Sequence, residues 1–148
     1  MKRYHIGYTT GVFDMFHIGH LNILKNAKRM CDYLIVGVST DELVQQYKGK
    51  TPIIRFDERL EIVKAIRYVD KAVPQTTMNK MEAWNELKFD ALFHGSDWKG
   101  TPQWEKYERQ LRPHGVEIVY LSHTDGISST KLTGVIKGIL DEHPGEGG

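Results

Sequence analysis

The spacing of hydrophobic and polar positions changes period several times along this chain, and each change marks an element. Residues Tyr4 to Thr9 form a short extended run that leads into a turn at Gly11-Val12-Phe13-Asp14. Leu21, Leu24, Ala27 and Lys28 then fall at helical spacing up to about Met30. The stretch Tyr33 to Val38 is rich in β-branched residues and almost wholly apolar, the pattern of a strand covered on both faces. A loop, Gln46 to Lys50, is expected before Asp57, which suits the N-cap of a helix carrying Leu60, Ile62, Val63 and Ile66. A strand around Lys71 to Val73 is expected to end at Pro74, followed by a helix over Met81 to Leu87. Ala91 to His94 reads as a strand, Gln103 to Leu111 as a helix and Val116 to Leu121 as a strand. A last helix is expected from near Ser128, carrying Leu132, Val135, Ile136 and Ile139.

Strands alternating with helices predict an α/β fold with a single Rossmann-like, doubly wound parallel sheet and helices on both faces. No internal repeat or linker interrupts the pattern, so residues 1–140 read as one domain and 141–148, which lack an apolar anchor, as a flexible tail. Ligands of such sheets bind outside the carboxyl ends of the strands, so the loops that follow each strand should carry the chemistry.

Composition narrows the options without naming one. The 148 residues include 20 Lys and Arg against 19 Asp and Glu, a net charge of +1. That balance supplies no field for a nucleic-acid polymer. The single cysteine, Cys31, permits no internal disulfide, and the start lacks the apolar stretch of a secretory leader, so a cytoplasmic protein is expected. No run approaches the roughly 20 apolar residues of a membrane helix.

Four loops stand out. The first holds Val12, Phe13, Asp14, His17, Gly19 and His20 between a strand and a helix. A helix N-terminus presents unpaired N–H groups and the positive end of the helix dipole, so it attracts phosphate. His17 and His20, three apart, can turn both imidazoles to one anion, and Gly19 permits close approach. Asp14 could hold Mg²⁺ or fix a neighbouring backbone group. A zinc site of two histidines and Asp14 is a weaker alternative, since no cysteine or third histidine lies nearby. The GK[ST] ending of a Walker loop and the GxGxxG spacing are both missing. In the second loop Lys48 and Lys50 flank Gly49, a flexible cationic arm suited to phosphates. The third, His94 to Gly100, offers Ser96, Asp97 and Trp98, whose indole could shelve a base or a carbon chain unless it packs against Trp104 or Tyr107. The fourth, His123 to Lys131, combines Gly126 with the hydroxyls of Ser128, Ser129 and Thr130 at the expected start of the last helix, a second anion site.

The segment His17-Ile18-Gly19-His20 after Gly11-Val12-Phe13-Asp14 resembles the HxGH signature of the nucleotidyltransferase superfamily. The Lys48 loop, Arg67-Tyr68-Val69-Asp70, Gly95-Ser96-Asp97-Trp98 and Thr124 to Thr130 resemble segments of its small cytidylyltransferases, in particular the glycerol-3-phosphate cytidylyltransferases. The resemblance implies transfer of CMP from CTP to a small phosphomonoester, with Mg²⁺ offsetting the triphosphate charge and no residue assigned to hold the metal. It implies catalytic roles for His17, His20 and Lys48, and acceptor contacts from Lys48, Lys80 and Trp98. Nucleotide contacts would come from Val12, Phe13, Asp14, His17, Gly19, His20, Asp97, His123, Thr124, Gly126, Ile127, Ser128, Ser129 and Thr130. It also implies a homodimer with Arg67 and Asp70 near the contact. His123, Asp125 and Ser129 stand where that group carries arginine, glutamate and threonine. A neutral His offers one donor where Arg offers a charged fork, which bears on the choice of base. Alternatives are phosphocholine, phosphoethanolamine or a pentitol phosphate as acceptor, an adenylyl transfer to FMN, or a nucleotide sensor without turnover.

Overall fold

The computed structural model describes residues 3–96 and 99–121. Its elements alternate in chain order: β1 (Tyr4–Gly11), α1 (Ile18–Arg29), β2 (Cys31–Ser39), α2 (Asp41–Lys48), α3 (Phe56–Lys64), β3 (Lys71–Gln75), α4 (Lys80–Leu87), β4 (Ala91–Gly95), α5 (Pro102–Leu111) and β5 (Glu117–Leu121). The five strands are parallel and lie in the order β3-β2-β1-β4-β5. The order reverses between β1 and β4, so the crevice outside their carboxyl ends is the switch point of a doubly wound sheet.

Alternation along the strands sorts the core into two layers. Leu34, Val36, Val38, Ala91 and Phe93 point to one face, where they pack with Leu24 and Ala27 of α1 and Val63 of α3. Tyr8, Ile35 and Leu92 point to the other, against Trp104, Tyr107 and Leu111 of α5 and the apolar side of α4. Gly37 is required on that second face, because a Cβ there would sit 2.6 Å from the Tyr8 hydroxyl.

Several boundaries differ from expectation for identifiable reasons. Strand β3 runs through Pro74 to Gln75, which the sheet tolerates because β3 is an edge strand. Asp57 is not the cap of α3: Arg55 holds that position, Asp57 lies in the first turn, and the Phe56 N–H donates to Asp41 Oδ2 at 3.2 Å. Ile62, expected in the core, is 42% exposed, and the inward stripe of α3 is occupied by Arg59 and Val63. Gln46 to Lys48 belong to α2, which stops where Gly49 takes a left-handed conformation at φ 68°. The last helix, expected from Ser128, and the 141–148 tail lie outside the described residues.

Two polar side chains fasten elements together. Asp70, expected with Arg67 at a dimer contact, accepts from Lys28 Nζ at 2.6 Å and from the Leu34 N–H at 2.7 Å, joining α1 to the starts of β2 and β3. Arg59 is 1% exposed. Its guanidinium donates to the carbonyls of Ile54 (2.8 Å), Val12 (2.8 Å) and Ser39 (2.7 Å), and pairs with Asp41. Every carbonyl in that set belongs to a segment that follows β1 or β2 or precedes α3. Arg59→Leu should therefore cost about 3 kcal/mol in denaturant unfolding, the usual result of removing one partner of a buried charged network. Arg59→Lys should recover only part of it, since an ammonium cannot span four acceptors.

Candidate active site at the carboxyl ends of β1 and β4

The turn between β1 and α1 is tightly constrained. Phe13 and Met15 both adopt left-handed conformations, at φ 55° and 49°, a strain of order 1 kcal/mol each that persists only where the surroundings hold it. Between them Asp14 accepts the Ile53 and Ile54 N–H groups, both at 2.8 Å, one on each carboxylate oxygen. Of the two roles open to Asp14, the structure shows the backbone-fixing one. It straps residues 53–54 across the turn.

His17 is the N-cap of α1 and forms a reciprocal capping box with His20. Its Nδ1 accepts the Gly19 N–H at 3.0 Å, and its own N–H donates to His20 Nδ1 at 3.3 Å. The two rings stack with centroids 3.9 Å apart. Because both Nδ1 atoms accept, these bonds assign the neutral proton of each ring to Nε2. Burial lowers both pKa values; for His20 it acts with the neighbouring His17, against a smaller opposing pull from Asp14, and brings the value to about 4. Both rings are therefore neutral near pH 7. Phe13, expected among the nucleotide contacts, is a core side chain that backs the His20 ring at 5.4 Å. The Val12 carbonyl is bound to Arg59.

Lys48 ends α2, where the helix dipole favours a cation. Partial burial and Lys50 lower its pKa, while Asp14 pulls the other way, which places Lys48 on the side of the first turn. Lys80 opens α4 and is 3% exposed. Its Nζ lies 3.3 Å from Thr10 Oγ1, at the carboxyl end of β1, and 5.7 Å from the centre of the Trp104 ring. Burial lowers its pKa to about 8. Among the described residues no carboxylate pairs with it. The loop that delivers Lys80 is fixed from below, since Gln75 accepts from the Ser39 hydroxyl at 2.7 Å and donates to the Thr77 carbonyl at 3.2 Å.

The structure thus gathers His17, His20, Gly19, Asp14, Lys48 and Lys80 at one end of the sheet. Asp97, Trp98, His123, Thr124, Gly126, Ile127, Ser128, Ser129 and Thr130 lie outside the described residues. Sequence reasoning gave no role to Arg59, Thr10, Gln75 or the pair His94 and Trp104, which stack at 4.2 Å beside Lys80. The missed signal was available for Arg59 alone, a charge set on the apolar stripe of α3. Among the described residues no three His, Cys, Asp or Glu side chains converge on a common point, so the two-histidine zinc reading finds no support there.

Comparison with known proteins agrees with this geometry. The cytidylyltransferase-like family model matches residues 8–134. The glycerol-3-phosphate cytidylyltransferase of Bacillus subtilis is 36% identical over 138 residues, covering 88% of this chain and 96% of that protein. The ethanolamine-phosphate cytidylyltransferase of mouse is also 36% identical, over 84% of this chain and 30% of its own length. Among solved structures, a lipopolysaccharide core biosynthesis protein from Thermoplasma volcanium superposes with a TM-score of 0.72 at 30% identity, covering 82% of this chain and 99% of that one. With a single parallel sheet packed on both faces, a histidine-capped helix at its switch point and a family match over most of its length, the chain belongs to the cytidylyltransferase-like family of transferases.

Proposed function

We propose that the protein transfers CMP from CTP to glycerol 3-phosphate, giving CDP-glycerol and pyrophosphate. The observation that carries this reading is the capping box of His17 and His20, which sets two neutral imidazoles, each with its proton on Nε2, at the N-terminus of α1. An acceptor phosphate oxygen would attack the α-phosphorus while the bond from that phosphorus to the bridging oxygen of pyrophosphate breaks in line. Such a transfer needs positioning and charge stabilisation rather than a protein nucleophile. His17 and His20 would donate to the oxygens on which charge grows, and Lys48, at the end of α2, would share the acceptor phosphate with Lys80. Lys80, a buried cation with no carboxylate partner among the described residues, would take the acceptor phosphate.

Both Asp14 oxygens accept backbone N–H groups and no ligand cluster exists among the described residues. Mg²⁺ is therefore expected to arrive on the CTP phosphates with its own waters, supplying charge neutralisation. Asp97 and the segment from His123 to Thr130 are assigned to the nucleotide by resemblance. A homodimer is proposed with Arg67 at the contact, since Asp70 already holds Lys28 and Leu34 within the chain. The lone, buried Cys31 fits a cytoplasmic, reducing setting.

Pyrophosphate release with CTP and glycerol 3-phosphate tests the reading directly. Loss of one preorganised donor typically costs about 10²–10³ in turnover, so His17→Ala should fall by that factor. Turnover of this variant at the wild-type rate would falsify the assignment. The Lys80 ammonium supplies a separate pH test. Its proton is retained below about pH 8 and lost above it, so KM for the acceptor should rise as pH increases through that value. In Lys80→Met the KM should be high throughout and the rise absent.

A further inference from the structure

Lys80 reaches its place beside Thr10 through residues 76–79, which connect β3 to α4. Strand β3 has a neighbour on one side only, and its Pro74 has no N–H to give. The course of the chain beyond β3 is therefore set by side chains rather than by the sheet. Register between β2 and β3 runs to Ser39 and Gln75, the last residue of each strand. Thr10 is in register with Gly37, two residues before Ser39. Paired residues of parallel neighbours share a face, so Thr10, Ser39 and Gln75 line the same face of the sheet.

Gln75 is 5% exposed, and its partners orient its amide. A carbonyl oxygen only accepts, so the 3.2 Å contact with the Thr77 carbonyl places Nε2 there. Oε1 then faces Ser39, whose hydroxyl donates to it at 2.7 Å. Nε2 also lies 3.6 Å from Met78 Sδ. On the main chain, the Gln75 carbonyl accepts the Thr40 N–H at 3.1 Å. Thr40 is the N-cap of α2, the helix that ends in Lys48. Gln75 thus grips the end of β2 and the start of α2 on one side and the approach to Lys80 on the other. The β2 side is itself fixed, because the Ser39 carbonyl accepts from Arg59. Farther along, the Tyr107 hydroxyl donates to the Met78 carbonyl at 3.3 Å, and Asn79 caps α4 through the Met81 and Glu82 N–H groups. An apolar side chain of equal volume would fill the same space, whereas an amide bonded at both ends also fixes distance and direction.

We propose that Gln75 is a positioning residue for the acceptor phosphate: it ties the approach to α4 to the frame that carries Lys48, and so sets the Lys80 ammonium where both lysines meet one phosphate. The inference rests on the reading of Lys48 and Lys80 as ligands of that phosphate. In this assignment Gln75 acts through Lys80 and touches neither substrate.

The test is steady-state pyrophosphate release from CTP and glycerol 3-phosphate by the wild type, Gln75→Met, Lys80→Met and the double variant. Methionine keeps the length of the side chain and removes its amide. Gln75→Met should raise KM for glycerol 3-phosphate about tenfold, the scale on which a hydrogen bond to a charged group is weakened. KM for CTP and kcat at saturating acceptor should stay within about threefold, because the loss is confined to binding of one substrate. In the Lys80→Met background the same substitution should add less than about twofold, since residues that act through one another are not additive. Ser39→Ala cuts the other end of the amide's grip and should raise the acceptor KM about threefold, which decides the matter if Gln75→Met does not fold. An acceptor KM unchanged in Gln75→Met, or in Ser39→Ala if that variant has to serve, but raised in Lys80→Met would overturn the proposal and leave the proposed function standing. So would an equal rise in both KM values, or the full tenfold rise in the Lys80→Met background; either would assign Gln75 to packing alone. An unchanged acceptor KM in Lys80→Met, or no pyrophosphate release by the wild type, would overturn both.

Discussion

The buried guanidinium of Arg59 is the interaction on which the first half of the site depends. A charge removed from water is costly unless its donors are all used and a counter-charge is near. Arg59 meets both conditions through three carbonyls and Asp41. Meeting them forces the segments after β1 and β2 and the approach to α3 into one arrangement, because each supplies an acceptor the others cannot replace. Asp41 completes the set by also accepting the Phe56 N–H, so α3 starts where α2 permits it to start. Asp14 then straps residues 53–54 to the same turn. The left-handed Phe13 and Met15 are tolerable because this lattice fixes the backbone on both sides of them.

Lys80 presents the opposite solution to the same physics. It is as buried as Arg59 and has a hydroxyl and a distant ring as its neighbours. Desolvation therefore acts on Lys80 with little to offset it among the described residues, and its pKa falls to about 8. A cation held this way gains most from an anion that arrives later. Of the two buried cations among the described residues, Arg59 is bound into the fold, while Lys80 has only a hydroxyl within hydrogen-bond reach. That division matches the two faces of the sheet: Arg59 sits on α3 with α1, Lys80 on α4 with α5.

How much of this was legible in the sequence depends on how local the cause is. The parallel sheet was legible because Tyr33 to Val38 and the other strand runs are apolar enough to demand cover on both faces. The histidine pair was legible because spacing and the strand-to-helix position are local facts. Pro74 misled, since a proline's effect depends on whether its strand lies at an edge, and order in the sheet is not a local property. Ile62 misled because helical spacing alone admits two neighbouring stripes, and packing chose the one led by Arg59 and Val63. Lys48 was placed in a loop because the short helix α2 was not read from the sequence at all; it runs from Asp41 to Lys48 and stops only at the left-handed Gly49. His94 and Trp104 are ten residues apart and meet only through the packing of α5 on β4, so no motif could have joined them.

Relatives at the same identity act on different acceptors by name, so whatever decides the acceptor is too small to register in overall similarity. What the described residues place at the switch point is backbone-heavy: a helix N-terminus, a capping box and strapped turns. Such features tolerate many sequences provided the fold survives. Recognition of a three-carbon chain is instead a matter of one or two side chains, because little surface is available to read it. Discrimination by a missing hydroxyl can be large only where the site supplies a buried polar group that is left unpaired without it.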